Sequence, residues 1–327
     1  MSPYRQLAFG VWLSAATWSA TYMFWPESES RAAPTRDDIP ISPSHFTPAT
    51  LLSSETTGPN SKLLTLKLPT HLVPFPEDLN PVWSIYMKDS DIQVERPYTP
   101  LEGIDKQGIM KFWIKRYVDG EVGKWLHSKN VGDSIEIRGP VPTWAWREGE
   151  YDELVMISGG TGITPMYQLI HHLLINQKST PSTSTPRITL LHSSRTPVEL
   201  PPPEILQPLK SLAAAQPERF KFHLFVDSPG NLSSPASHNL QVSRIGTSAV
   251  QKALGLSQGS SWFKRKSSAE ATKIDREKLG KRVLFLVSGP DRTVAAIAGP
   301  MGRNLSQGDV GGILGEMGFT SQDVWKL

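Results

Sequence analysis

The chain has 327 residues, 38% of them hydrophobic, which is enough for two globular domains with cores of their own. It contains no cysteine, which excludes disulfides, thiolate metal sites, iron–sulfur clusters and a cysteine nucleophile. The formal net charge of +3 gives no sign of a nucleic-acid partner and none is expected; the adjacent pair His171-His172 would point in different directions from a helix, so no metal site is expected either.

Residues 1–6 are a short tail. Leu7 to Trp25 is nineteen residues without a charge, preceded by Arg5 and closed by Pro26. That length spans a bilayer core as a helix, and Trp18, Tyr22, Phe24 and Trp25 carry the apolar part to its end, unlike the small-residue exit of a cleaved signal peptide. A transmembrane anchor is therefore predicted at 7–25. Arg5 on one side and Arg31 and Arg36 on the other leave its orientation open. Residues 26–44, rich in proline and mixed charge, read as an extended linker.

From 45 to 148 the pattern is short β-rich segments: ATLLSSETT, KLLTLKLP, VWSIYMKD, ERPYTP, IMKFWIKRY and SIEIRGP, separated by Gly, Pro and Asn turns, with one short helix near Lys124 to Lys129. This predicts an antiparallel β-barrel. From 149 to 327 the strands ELVMIS, RITLLHS, FKFHLFVD and RVLFLVS alternate with helical stretches, as in a doubly wound parallel sheet. Two segments interrupt it. Gln177 to Arg187 is a Ser/Thr/Pro loop, and 228–282 is an insertion whose stretch from Trp262 to Arg282 carries eight Lys/Arg against three Asp/Glu.

Several motifs bear on chemistry. In RPYT, Arg96 and Tyr98 alternate to one face beside Pro97 and Thr99; an arginine fork suits phosphate and a tyrosine ring suits a flat heterocycle. DGEVGKWL places Gly120 and Gly123 at the start of a helix, with Lys124 in its first turn, a place fit for an anion. SGGTGITPM, Ser158 to Met166, joins an apolar strand to a helix through Gly159, Gly160 and Gly162, so that free N–H groups at the helix start would hold a pyrophosphate. It is not the G-x-G-x-x-G fingerprint. In SGPD the last of these parallel strands turns into a helix through Gly289-Pro290, at the sheet edge where ligands bind in open α/β folds.

RPYTP, IKRY at Ile114 to Tyr117, the glycine-led helix start, Gly139-Pro140, GGTGITPM and the last GP, in this order and at these separations, resemble the ferredoxin–NADP reductase superfamily and within it the NADH–cytochrome b5 reductases. The resemblance covers about Phe46 to Leu327 and implies an FAD-binding barrel at 45–148 and an NAD(P)-binding domain at 149–327, in a reductase using FAD and NADH or NADPH. It implies that Arg96 binds the FAD pyrophosphate, with Pro97 beside it in the FAD site, that Tyr98 packs on the flavin, that Thr99 bonds near its reactive nitrogen, and that Ile114, Lys115 and Tyr117 line the cofactor, Lys115 also facing the nicotinamide nucleotide. The backbone from Gly120 to Trp125, through Gly123 and Lys124, would cap the FAD phosphates, Thr164 would touch the flavin, and Gly159, Gly160, Thr161 and Gly162 would hold the nucleotide pyrophosphate. Gly289 and Pro290 would shape the nicotinamide pocket, and Thr99, Lys115 and Ser288 would be catalytic.

There are departures. Gly123 stands where the family commonly has serine, Ser288 where it has cysteine beside the nicotinamide, and Asp291 adds a charge to the same turn. Asp227, where the family has an acid associated with NADH, would repel a 2′-phosphate, whereas Arg195 would attract one. The anchor, the linker, the basic insertion and the ending GGILGEMGFTSQDVWKL resemble a fungal mitochondrial branch of the family, the FAD-containing cytochrome c import factors. That implies haem, or the cytochrome c/c1 assembly machinery, as partner, and an inner mitochondrial membrane location facing the intermembrane space; the outer mitochondrial or endoplasmic reticulum membrane is the alternative. Cytochrome c is itself basic, so the Trp262 to Arg282 run suits haem propionates or an acidic partner better.

Overall fold

The computed structural model describes residues 33–74, 79–176, 185–230, 240–256, 274, 279–303 and 306–327. The anchor predicted at 7–25 and nearly all of the basic run from Trp262 lie outside them, as does most of the loop at 177–187. Among the described residues no helix is long and apolar enough to cross a membrane.

Six antiparallel strands form the first sheet: β1 (Thr47–Gly58), β2 (Ser61–Lys67), β3 (Val82–Asp89), β4 (Val94–Tyr98), β5 (Ile109–Lys115) and β6 (Ser134–Trp144), in the order β4-β3-β6-β1-β2-β5. Apolar side chains point into one core, where Leu51, Leu64, Leu66, Ile85, Met87 and Phe112 are buried. At roughly 1.5–3 kcal/mol for each fully buried large side chain, that core drives the sheet to close. Closure leaves β4 and β5 as the two edges of a seam, joined just beyond β4 where the N–H of Leu101 donates to the carbonyl of Lys111 at 2.9 Å. Residues 35–46, in part read as linker, pack on this barrel: Ile41 is buried, and Arg138 donates to the carbonyl of Pro43 at 2.9 Å while stacking on Tyr86.

The second sheet is parallel: β7 (Glu153–Gly159), β8 (Arg187–Ser194), β9 (Phe220–Val226), β10 (Leu240–Val242), β11 (Val283–Ser288) and β12 (Val324–Lys326), in the order β10-β9-β8-β7-β11-β12. Helices cover both faces, so β7 and β11 are buried throughout. The period of two sorts their side chains. Leu154, Met156, Leu284 and Leu286 face α2 (Ile163–Ile170) and α3 (Pro203–Ala215), whereas Val155, Ile157, Phe285 and Val287 face α4 (Thr247–Ala253), α5 (Asp291–Ala298) and α6 (Gly312–Glu316). The sequence pattern missed β10 and β12, each three residues long and too short to show a period. β10 and α4 fall within 228–282, so this insertion supplies an edge strand and a helix of the domain itself.

The barrel rests on the face of the sheet that α2 covers. Leu63, Val82, Leu101 and Trp113 of the barrel region share one core with Met166, Tyr167 and Ile170 of α2. The backbone N–H of Trp83 donates to Oε1 of the buried Gln168 at 2.9 Å. This contact ties the start of β3 to α2.

Candidate functional site: the barrel seam and the glycine turns

β4 and β5 bring the first group together. Tyr98, half-buried at the end of β4, has its phenol pushed up to about 12, first by burial and against the opposing charge of Arg96, with Tyr117 also close enough to be felt. Arg96 is exposed, and its guanidinium donates to its neighbour's carbonyl, that of Glu95, at 2.8 Å. Its fork is therefore turned to solvent, beside a tyrosine ring. Pro97 follows on the exposed edge, and Thr99 is half-buried just beyond the strand. Glu95, by contrast, is spent on structure, held bidentately by Arg138 at 2.6 Å to each carboxylate oxygen.

Helix α1 (Glu121–Ser128) packs against β4 and begins one turn earlier than the pattern suggested, with Gly120 before its first residue. No side chain caps it, so its first N–H groups are free for a ligand. A Cβ at Gly123 would lie 3.2 Å from the carbonyl oxygen of Lys115, closer than most side chains allow, so the residue that departs from the family serine here permits close packing of α1 on β5. Lys124 is exposed and pairs with Glu121 at 3.5 Å. The side chains of Ile114 and Trp125 belong to the barrel core, at 1% and 7% exposure, which leaves their backbone to meet a cofactor.

The glycine turn divides its work in a way the sequence did not show. The backbone of Gly162 is so close to the β11 turn that a Cβ there would meet Ser288 O and Gly289 N at 2.5 Å. Gly159 and Gly289 likewise touch across the two turns. These glycines bring the ends of β7 and β11 into backbone contact. Gly160 differs: its φ is +52°, in the left-handed region, and nothing lies within 4 Å of where its Cβ would be. Gly160 to Gly162 form a tight 3-10 turn into α2, again with no side-chain cap, and β5 lies against this turn. Pro165 is the third residue of α2, and Thr164 donates its hydroxyl to the carbonyl of Thr161 at 3.0 Å. Ser288 is buried and Pro290 exposed; Asp291 is exposed in the first turn of α5, where the helix dipole favours an acid.

Lys115 leaves the end of β5 and meets Glu199 of the nucleotide domain at 2.7 Å, a partner with no sequence signal, because 84 residues separate the two. Asp227, at the end of β9, is exposed and faces Arg244 at 3.6 Å. A separate cleft of about 650 Å³, lined in part by Tyr151, Lys281, Arg282 and Phe319, lies at the amino ends of β7 and β11. Open α/β sheets bind ligands at the carboxyl edge, so the site is assigned to the glycine turns.

The residues fit the groups expected. Gly160 is an open cradle, two uncapped helix starts offer N–H groups to phosphates, and Arg96 beside Tyr98 offers a cation and a ring. A barrel whose seam faces two glycine turns of a doubly wound sheet defines a two-domain oxidoreductase that uses a flavin and a nicotinamide nucleotide. Residues 48–146 match the model of the oxidoreductase FAD-binding domain, and 151–291 that of the ferric reductase NAD binding domain. NADH-cytochrome b5 reductase 2 of Scheffersomyces stipitis is 30% identical over 234 residues, 72% of this chain and 67% of that one. The protein of the same name from Phaeosphaeria nodorum is 28% identical over 279 residues, 84% of this chain and 72% of that one. The chain belongs to the NADH-cytochrome b5 reductase family. It is an oxidoreductase with FAD and NAD as its cofactors. In fold it is similar to the cytochrome b5 reductase domain of Ulva prolifera nitrate reductase, with a TM-score of 0.61 and 22% identity over 88% of this chain and all of that one. An Amycolatopsis cytochrome P450 reductase gives a TM-score of 0.58 at 15% identity, over 86% of this chain and 69% of that one.

Proposed function

We propose that this chain takes electrons from NADH and passes them singly to a haem acceptor while held to a membrane by residues 7–25. The observation that carries the reading is the meeting of the Gly159–Gly162 and Ser288–Pro290 turns, backbone to backbone, against the strand that carries Lys115. Bound FAD supplies the conversion of a two-electron donor into single electrons. The chain's own residues bind and orient. Arg96 and the free N–H groups at the start of α1 hold the FAD pyrophosphate, Tyr98 lies along the ring system, and Thr99 and Thr164 offer hydroxyls from the two domains. Gly160, Thr161 and the start of α2 take the nucleotide pyrophosphate. Lys115 bears on the nucleotide from the barrel, while Gly289 and Pro290 shape the nicotinamide pocket beside Ser288. The apolar contact of the barrel with α2 keeps water from the back of the crevice.

The acceptor we propose is haem during its attachment to cytochromes c, with the domains facing the mitochondrial intermembrane space; the uncharged apolar stretch at 7–25 and the basic insertion support this. A second reading, reduction of cytochrome b5 at the outer mitochondrial or endoplasmic reticulum membrane, is favoured by the names of the relatives from Scheffersomyces stipitis and Phaeosphaeria nodorum. The experiment uses the purified protein with NADH under anaerobic conditions. Bleaching of the flavin band is expected, followed by faster reoxidation by haemin than by cytochrome b5. A flavin that stays oxidised removes the reductase reading, and faster reoxidation by cytochrome b5 selects the second acceptor. Fractionation with protease protection tests the location.

A further inference from the structure

The end of β8 carries a charge cluster that joins the two domains. Glu199 closes the short turn Pro197–Glu199, and its carboxylate accepts from Lys115 Nζ at 2.7 Å and from Arg195 Nε at 3.0 Å, with Arg195 Nη2 2.8 Å from its other oxygen. The Lys115 and Glu199 side chains are only 13% and 17% exposed, so this is no loose surface pair. Burial opposes the ionisation of Glu199, but the hydrogen bonds from Arg195 and Lys115 outweigh it and hold the carboxyl below the usual range. The turn is anchored from within. Ser194 Oγ donates to the Glu199 carbonyl at 3.2 Å and lies 3.3 Å from Nε2 of the fully buried His192. Asp227 is the adjacent acid: its N–H donates to the Ser194 carbonyl at 3.2 Å, and its carboxylate faces Arg244.

In dinucleotide-binding doubly wound sheets, an acid in the region where the second strand ends accepts from the ribose 2′-hydroxyl of NAD, or an arginine nearby receives the 2′-phosphate of NADP. β8 is that second strand, and Arg195 is the first residue past its end. We propose that Glu199 sets the nucleotide preference of this chain, closing on Arg195 and Lys115 so that neither is free for a 2′-phosphate, and so selecting NADH over NADPH. The inference rests on the reductase reading above. A phosphate at this point carries close to two negative charges. It would have to draw Arg195 out of a bidentate pair or lie beside both Glu199 and Asp227, whereas a 2′-hydroxyl donates to a carboxylate at little cost. Asp227 reinforces the rejection, but it touches neither Arg195 nor Lys115 through its side chain in any bond seen here.

The test compares 2′,5′-ADP with 5′-AMP binding to the FAD-loaded protein by calorimetry, alongside flavin reduction by NADPH and NADH. The unaltered chain is expected to bind 2′,5′-ADP at least about tenfold more weakly than 5′-AMP, and Glu199→Gln to narrow that ratio by at least about tenfold. The double variant Glu199→Gln, Arg195→Ala should restore part of the discrimination, the remainder being the freed Lys115, which separates freed cations from a general loosening of the turn. A ratio unchanged by Glu199→Gln overturns the proposal. So does an unaltered chain that binds the two fragments equally or binds neither. Failure of NADH to bleach the flavin is a separate result, which removes the reductase reading while the binding ratio still judges Glu199.

Discussion

The hydroxyl of Ser158 lies 2.9 Å from Nδ1 of His192, and both residues are fully buried between neighbouring strands of the parallel sheet. Burial holds His192 down to about 3, so it stays neutral at ordinary pH and serves as a hydrogen-bonding link between the strand that feeds the glycine turn and Ser194, at the end of β8. Its folded pKa is depressed below the unfolded value of 6.5, so the unfolded chain binds the proton more readily. The contribution to stability is complete above 6.5 and is lost as pH falls toward 3. Unfolding free energies from urea titrations across that window should decline as pH falls, with a slope of up to about 1.4 kcal/mol per pH unit from this residue. His171, His172 and His223, also lowered chiefly by burial, add in the same direction, so the difference in slope between the parent chain and His192→Asn isolates His192. Equal slopes would remove the assignment.

Gly160 and Gly162 are two residues apart and should fail in different ways. Gly162→Ala puts a methyl group within 2.5 Å of the Ser288 carbonyl, so the two turns must separate; a loss of about 1–3 kcal/mol in stability is expected. Gly160→Ala meets open space and costs only the strain of its positive φ, about 1 kcal/mol. Its methyl group would instead project where the nucleotide phosphates are proposed to lie. Thermal melting should single out Gly162→Ala, and the KM for NADH should rise in Gly160→Ala at normal flavin content.

Arg96 makes one local hydrogen bond and is exposed, so Arg96→Ala should change stability by no more than about 0.5 kcal/mol. Flavin content should fall steeply all the same, because the cation is placed for the cofactor and not for the fold. The ratio of flavin absorbance to protein absorbance in the purified variant reads this directly. Full flavin content would sink the role given to Arg96.

Gln168→Leu removes the acceptor for the buried N–H of Trp83. An orphaned buried donor costs about 1–3 kcal/mol, and here the loss falls between barrel and sheet. Urea unfolding should register it, together with a lower kcat at unchanged flavin content. Unchanged stability would show that this hydrogen bond adds nothing to the shared apolar core and the Lys115–Glu199 pair in holding the two domains.

Both domains were legible in the sequence because each has its own period: alternating short strands in the barrel, then apolar strands between amphipathic helices. The motifs were legible for a related reason. Arg96, Tyr98, Gly160 and the Gly289-Pro290 turn sit on local strand ends and helix starts, where a few consecutive residues determine the backbone. What the tertiary structure decided is which side chains those positions leave free. The side chains of Ile114 on β5 and Trp125 on α1 fall inside motifs yet pack in the barrel core, so only their backbone is left for a ligand. Gly159 and Gly162 serve the contact between two turns, a requirement set by Ser288 and Gly289 more than a hundred residues away. Glu199 carries no motif, and only the docking of barrel on sheet brings it to Lys115. The sequence by itself determined the two folds and the chemistry they hold, since local periodicity and turn chemistry are written in neighbouring residues. Only the tertiary structure decided how charge is distributed in the crevice, since ion pairs and close backbone approach depend on residues far apart in the chain.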